Sequence, residues 1–172
     1  MPYLTRKDNE ERGWQDTALV CLSGHMVNHS MKRDPECNTK FCKKCGEKAI
    51  WQCIHCEHDI QGNYHYPGVV ALGPQKPPGF CHNCGQPYPW TGRTLEAAKE
   101  LIGMADSLSP TEKQDFDRAV SDLMKEGPRT GLAAEKFKRY CKQAGKAVGE
   151  GVYKIVIDVV SETAKKILIP GP

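Results

Sequence analysis

Hydrophobic positions along this chain follow two different rules, and the change falls near Arg93. Before it, apolar residues come in short runs such as Thr17-Ala-Leu-Val20, Met26-Val-Asn28 and Ala49-Ile-Trp51. These runs are bounded by Gly, Ser, Asn and Pro, which predicts short strands between turns. Tyr64 to Leu72 reads as a further strand, and Gly73-Pro-Gln-Lys-Pro-Pro-Gly79 as a loop that no sheet interior accepts.

After Arg93 the apolar period lengthens to that of a helix. Leu95, Ala98, Leu101, Ile102 and Ala105 form one stripe, with Thr94 as the expected cap. Ser109-Pro-Thr-Glu112 predicts a second start, with serine as cap, proline at the first position and glutamate reaching back. Its stripe is Phe116, Ala119, Val120, Leu123 and Met124, closed by Gly127-Pro128, and the brief connection makes these two helices antiparallel neighbours. A long third segment runs from Leu132 to about Lys166, with Phe137, Tyr140, Cys141, Ala144 and Val148 on one face. Gly145, Gly149 and Gly151 predict a break or a close helix crossing within it. Beyond them Val152, Ile155, Val156, Val159, Val160, Ala164, Ile167 and Leu168 cover a wide apolar face. That face must be buried, either on the chain's own helices or on a second copy.

The expected class is therefore α+β, in two domains. Residues 1–93 form a strand- and loop-rich half, and residues 94–172 an all-α region of three to four helices whose apolar C-terminal helix is a candidate oligomerisation element.

Cysteine spacing decides what organises the first half. Eight of the nine cysteines and all six histidines precede Arg93. They fall into four half-sites: Cys21-x3-His25, Cys42-x2-Cys45, Cys53-x2-Cys56 and Cys81-x2-Cys84. Two soft donors on one tight turn grip one face of a tetrahedral ion, so four half-sites make two closed zinc sites. Gly46 and Gly85 supply the positive-φ turn after two of the pairs, whereas Glu57 stands there in the third and weakens it. Sequential pairing puts Cys21, His25, Cys42 and Cys45 in one site and Cys53, Cys56, Cys81 and Cys84 in the other. It encloses 16 residues between His25 and Cys42 and 24 between Cys56 and Cys81. Pairing the middle knuckles leaves only 7 residues between Cys45 and Cys53, too few for the strands of a ribbon. Cys37 lies outside this spacing as a spare thiol or a replacement for His25, and His29, His55, His58, His65 and His82 read as surface or hydrogen-bonding groups. With so few large apolar residues the half needs the ions to fold, each site contributing on the order of 10 kcal/mol.

Four ligands per site leave no open position for catalysis, and neither the zinc-protease nor the deaminase signature is present. The formal charge of +3 shrinks to roughly zero once the thiolates of two loaded sites are included, so no global attraction to nucleic acid is expected. A local one remains open, through Lys40, Lys43, Lys44 and Lys48 or through the helix stripe Lys138, Arg139, Lys142 and Lys146. Met1 to Trp14 is charged and lacks an apolar secretory core, which together with the thiols points to a reducing cytosol. No run is long enough for a membrane span.

The series Cys21-x3-His25, Phe-Cys-Lys-Lys-Cys-Gly46 and Phe-Cys-His-Asn-Cys-Gly-Gln-Pro-Tyr-Pro-Trp90, with the Ser-Glu-Thr-Ala-Lys-Lys166 ending, resembles a family of uncharacterised bacterial double-zinc-ribbon proteins with a helical C-terminal region. The resemblance covers most of the chain and implies bacterial origin and zinc at the four knuckles, but no activity. The function expected is a zinc-binding, non-enzymatic cytosolic adaptor carrying two zinc ions. It would bind a protein partner or a second copy, with Tyr88, Trp90, His82 and Arg93 as candidate contacts, or else nucleic acid. No small-molecule substrate is evident. Trp90 has a competing reading, as packing against the ribbon.

Overall fold

A computed structural model describes residues 13–69 and 76–169. The charged start of the chain, the end of the expected Tyr64–Leu72 strand and the first part of the expected 73–79 loop lie outside these residues. The chain forms two compact units, Met1–Trp90 and Thr91–Pro172.

The described residues of the first unit hold five short strands: β1 (Trp14–Thr17), β2 (Leu19–Cys21), β3 (Met26–Asn28), β4 (Ala49–Ile50) and β5 (Gln61–His65), with a 3-10 turn at Pro35–Cys37. β1 pairs antiparallel with β5, Trp14 opposite His65. A second sheet runs β3-β2-β4, also antiparallel, with Val20 opposite Ile50 and Cys21 opposite Ala49. The expected strand Thr17–Val20 is thus divided at Ala18 between two sheets. The expected Tyr64–Leu72 strand is displaced towards the N-terminus, because Pro67 and Gly68, at φ +68°, turn the chain soon after His65. Gly62 in β5 has no room for a side chain, since a Cβ there would run into the His29 carbonyl oxygen and the Thr17–Ala18 backbone.

A buried carboxylate ties these strands together. Asp16 accepts hydrogen bonds from the backbone N–H groups of Thr17, Lys32 and Arg33 and lies 3.0 Å from His65 Nε2. The Arg33 guanidinium, which can only donate, approaches His65 Nδ1 at 3.1 Å. That leaves His65 to donate from Nε2 to Asp16.

The second unit is helical: α1 (Pro89–Gly103), α2 (Pro110–Leu123), α3 (Thr130–Gln143), α4 (Lys146–Val156) and α5 (Glu162–Leu168), α1 beginning in the last residues of the first unit. Five helices stand where three to four were expected, because the long third segment breaks twice. Gly145 takes φ +84° ahead of α4, and residues 157–161 separate α4 from α5, which Ser161 caps by accepting from the Ala164 N–H. Gly149 serves the second purpose anticipated for it: a Cβ there would strike the Cys141 carbonyl, so α3 and α4 cross with their backbones nearly touching. The expected capping box at Ser109 and Glu112 is present in full. α1 starts at Pro89, five residues before the expected cap Thr94, because proline suits a first helical position.

α3 is the hub of this unit, packing against α2, α4 and α5. The main partner of α2 is α3, not α1 as its short connection suggested. Phe116 meets Phe137 and Tyr140 at ring separations of 5.7 and 5.4 Å. On the apolar face of the C-terminal segment Val152, Val156, Val160, Ala164 and Leu168 are buried, while Ile155, Val159 and Ile167 are half-buried. Cys141 is half-buried, and burial pushes its thiol up to about 12. No helix among the described residues is long and apolar enough to cross a membrane.

Charge pairing across α2 and α3 makes this unit acid-sensitive. Asp115 accepts from Lys136 Nζ at 2.7 Å and from the Tyr140 hydroxyl at 2.8 Å, and these bonds hold its carboxyl below the ordinary 3.8. The Ser109 backbone and side chain do the same for Glu112, below 4.5. A depressed carboxylate stabilises the fold above its unfolded value and loses that contribution as pH falls through the folded one. Thermal melts followed by helical ellipticity are expected to lose midpoint as pH falls from neutral towards about 3, and Asp115→Asn, less stable at neutral pH, is expected to lose less over the same interval.

Candidate metal centres

Three of the four half-sites are copies of one small hairpin. In each, the N–H of the first cysteine donates to the carbonyl five residues on: Cys42 to Glu47, Cys53 to His58 and Cys81 to Gln86, at 2.8–2.9 Å. The residue after the second cysteine donates back to the first cysteine's carbonyl, through Gly46, Glu57 and Gly85. Bridges Phe41–Lys48, Gln52–Asp59 and Phe80–Pro87 close the three turns. The returning residue is left-handed in every case, at φ +73° for Gly46, +58° for Glu57 and +72° for Gly85. The fourth half-site has one more residue between its ligands but a hairpin one residue tighter. Gly24, at φ +82°, donates to Cys21 O, and Cys21 N–H donates to His25 O.

These turns bring the side chains into two tetrads, Cys21, His25, Cys42 and Cys45, and Cys53, Cys56, Cys81 and Cys84, with all donor atoms of a tetrad within 4.8 Å of one another. In the first, Cys21 Sγ lies 3.7 Å from Cys45 Sγ, and His25 Nδ1 lies 3.3, 3.6 and 3.7 Å from Cys45, Cys21 and Cys42. In the second, Cys53–Cys84 and Cys56–Cys81 are separated by 3.8 and 3.7 Å. A tetrahedral ion with metal–sulfur arms of ~2.3 Å places its sulfurs ~3.8 Å apart, and a nitrogen arm of ~2 Å shortens that edge to ~3.5 Å. A disulfide needs ~2 Å. The tetrads are therefore spaced to surround a metal ion, and the sequential grouping of the half-sites is the one the fold brings together. Cys37 is exposed and belongs to neither tetrad.

Backbone and amide donors are already aimed at the sulfurs. His25 N–H donates to Cys21 Sγ at 3.2 Å, Lys44 N–H to Cys42 Sγ at 3.4 Å, and Asn83 Nδ2 to Cys56 Sγ at 3.5 Å. Burial opposes ionisation of Cys42, but the N–H groups of Lys44 and Cys45 and the neighbouring thiols outweigh it and bring Cys42 down to about 6. Cys81 reaches about 6 against the same opposition, helped by the N–H groups of Cys84 and Asn83. At Cys84 the Gln86 N–H favours the thiolate, yet burial and the three neighbouring sulfurs prevail and push it up to about 12. Burial raises Cys21 in the first tetrad, and the Asn83 amide lowers Cys56 in the second. Each tetrad thus holds thiols shifted in opposite directions, a frustration that a divalent cation relieves.

The two tetrads differ in what surrounds them. Cys53 and Cys81 sit in the main apolar cluster of this unit with Ala18, Val20, Ile60, Tyr88 and Trp90. Tyr88 and Trp90 stack at 4.8 Å, and Trp90 Nε1 donates to Pro78 O. With 1% and 5% of their surfaces exposed, these two aromatics are core residues, which corrects the expectation that Tyr88 contacts a partner and agrees with the packing reading of Trp90. Trp90 also covers the first turn, because a Cβ on Gly24 would meet its side chain at 2.8 Å. The Tyr88 hydroxyl is buried without a satisfied hydrogen bond, and burial followed by the nearby Cys81 sulfur raises its pKa well above the ordinary range. His82 stays exposed, edge-on to His58 at 4.8 Å.

A family model described as "Uncharacterized protein conserved in bacteria (DUF2321)" matches residues 14–168. The chain belongs to this family. The match spans both tetrads and the five helices of the described residues, in keeping with the bacterial double-ribbon resemblance of the cysteine series, and the DUF2321 description carries no activity. No curated protein and no solved structure matches this DUF2321 chain.

Sequence spacing named the eight side chains that the fold gathers into the two tetrads. It missed Asn83, whose position between two cysteines hides an amide directed at the opposite knuckle, and it took Tyr88 for a contact residue. It did notice Glu57, the one described non-glycine residue at positive φ. Glu57→Gly is expected to stabilise the unit by about 1 kcal/mol by removing left-handed strain, and Gly85→Glu to cost a similar amount. Denaturant midpoints read by tryptophan fluorescence distinguish the two directions.

Proposed function

We propose that the protein is a zinc-binding, non-enzymatic cytosolic adaptor whose two ribbon sites are structural and whose first unit presents a recognition surface. The observation that carries this reading is the donor set: each tetrad supplies four protein atoms at tetrahedral spacing. Thiolate-rich, four-donor tetrahedral sites select zinc among abundant divalent ions and leave no position for a substrate or an activated water. The burial of Cys53 and Cys81 in the apolar cluster supports a structural role, since those sulfurs are part of what the strands pack against.

Self-association through the C-terminal helix is the lesser reading, because five of the eight residues on the apolar face that called for a partner are buried. The basic helix stripe is a weak candidate for binding phosphates. Lys138 pairs with Glu135 at 3.1 Å, and the Arg139 guanidinium lies 4.6 Å over the Tyr140 ring while donating to its hydroxyl. The surface around the first knuckle is a better place for a partner, because Lys40, Lys43, Lys44 and Lys48 are all exposed there.

X-ray absorption at the zinc edge of the purified full-length chain tests this directly. Two zinc ions per chain are expected, one with three sulfurs and a nitrogen and one with four sulfurs, at metal–sulfur distances of ~2.3 Å. An oxygen ligand or an exchangeable water at either ion would contradict a purely structural role.

A further inference from the structure

An apolar groove of about 300 Å³ opens beside the first knuckle, separate from both tetrads. Leu19, Met31 and Ala49 contribute to its lining, together with the rings of Phe41 and Trp51. Those two aromatics are 61% and 45% exposed, which is unusual for large apolar side chains on adjacent segments of a small, rigid unit. Neither is needed to hold the metal: Phe41 precedes the ligand Cys42, and Trp51 follows β4.

The edge of the groove is positive. Lys40 and Lys48 line it, Lys43 and Lys44 follow on the same knuckle, and none of the four pairs with a carboxylate among the described residues. Glu47 is the one acid in this stretch. Even with Glu47 and a loaded three-thiolate site counted, the knuckle retains a charge of about +2.

We infer that this groove binds an acidic peptide segment of a protein partner, seating one aromatic or leucine side chain between Phe41 and Trp51 while flanking carboxylates meet Lys40 and Lys48. The walls decide between peptide and nucleic acid. Asn38 is the amide in the lining, and both ends of it are occupied: Asn28 Nδ2 donates to its oxygen at 2.8 Å, and its own Nδ2 donates to Met31 O at 3.1 Å. The Thr39 hydroxyl, also in the lining, donates to Phe41 O at 2.9 Å. Apart from the Lys40 and Lys48 ammonium groups, the walls therefore offer little to pair with the polar edges of a nucleobase, whereas a hydrocarbon anchor has no such edges. At about 300 Å³ the groove is at the small end of ligand-binding pockets and has room for one large anchor side chain, and an apolar anchor with a charged rim is how compact interaction sites combine affinity with selectivity. The inference rests on the adaptor reading and names its partner class.

The test is selection of random twelve-residue peptides displayed on phage against the full-length, zinc-loaded chain, counter-selected on a Phe41→Ala/Trp51→Ala variant shown to retain its metal. Enriched sequences are expected to share one aromatic or leucine residue flanked by Asp or Glu. Synthetic versions should shift the Trp51 indole N–H resonance on binding. Their affinity should fall about tenfold or more for Phe41→Ala or Trp51→Ala, and for Lys40→Glu/Lys48→Glu. Failure to enrich any peptide, a consensus without acidic residues, or tighter binding of a twenty-nucleotide oligothymidine at the same resonance would each overturn the inference. Metal content and sulfur coordination are measured on the same samples. Peptide failure with two closed sites intact rejects this groove alone, while a water-bearing site rejects the structural-zinc reading on which it rests.

Discussion

The first unit depends on one constraint: eight side-chain donors must converge in two groups of four although the surrounding core is too thin to hold them there unaided. Part of that core is the ligand set itself. Cys53 and Cys81 are as buried as Val20 and Ile60 and belong to the same apolar cluster. Removing the attraction of those sulfurs to a shared cation would leave like-charged or partly protonated thiols packed against Tyr88 and Trp90, where burial penalises charge and sulfur–sulfur contact supplies little energy. The strands are correspondingly slight, none longer than the five residues of β5, and they serve to present hairpin turns rather than to form a sheet with its own core.

The helical unit solves the same problem differently. Its interior is assembled from Phe116, Phe137, Tyr140, Leu123, Val152 and Val156, side chains that repay burial without a metal. Gly149 lets α3 and α4 approach until backbone meets backbone, Gly145 starts α4 from a left-handed turn, and Ser109 and Ser161 cap two of the five helices. Two architectures with different sources of stability therefore share one chain. Their responses to metal removal and to acid should differ accordingly.

Much of this was legible in the residues because metal-ligand spacing and helix-start chemistry are local. A Cys-x2-Cys-Gly turn encodes its own hairpin, and Ser-Pro-Thr-Glu encodes its own cap; both need only a few residues of context. What was illegible depended on distant partners. Nothing within the Tyr88-Pro89-Trp90 stretch shows that its aromatics stack beneath a tetrad and shield Gly24, since the surface they cover is supplied some 65 residues earlier. The same limit hid the groove, whose lining runs from Leu19 to Trp51 and exists only once the first turn has closed. The Glu57 knuckle is the intermediate case: its missing glycine was visible, but only the backbone shows that the turn forms regardless, at positive φ.

The most direct test of metal dependence is to chelate the purified full-length chain while recording a two-dimensional amide spectrum. Removal of the ions is expected to collapse the dispersed resonances of residues 13–69 and 76–90 while the amides of α2 to α5 hold their positions, with full recovery on adding two equivalents of zinc. A first unit that keeps its native spectrum after verified loss of all metal would contradict the claim that thiolate–metal attraction holds this half of the protein together.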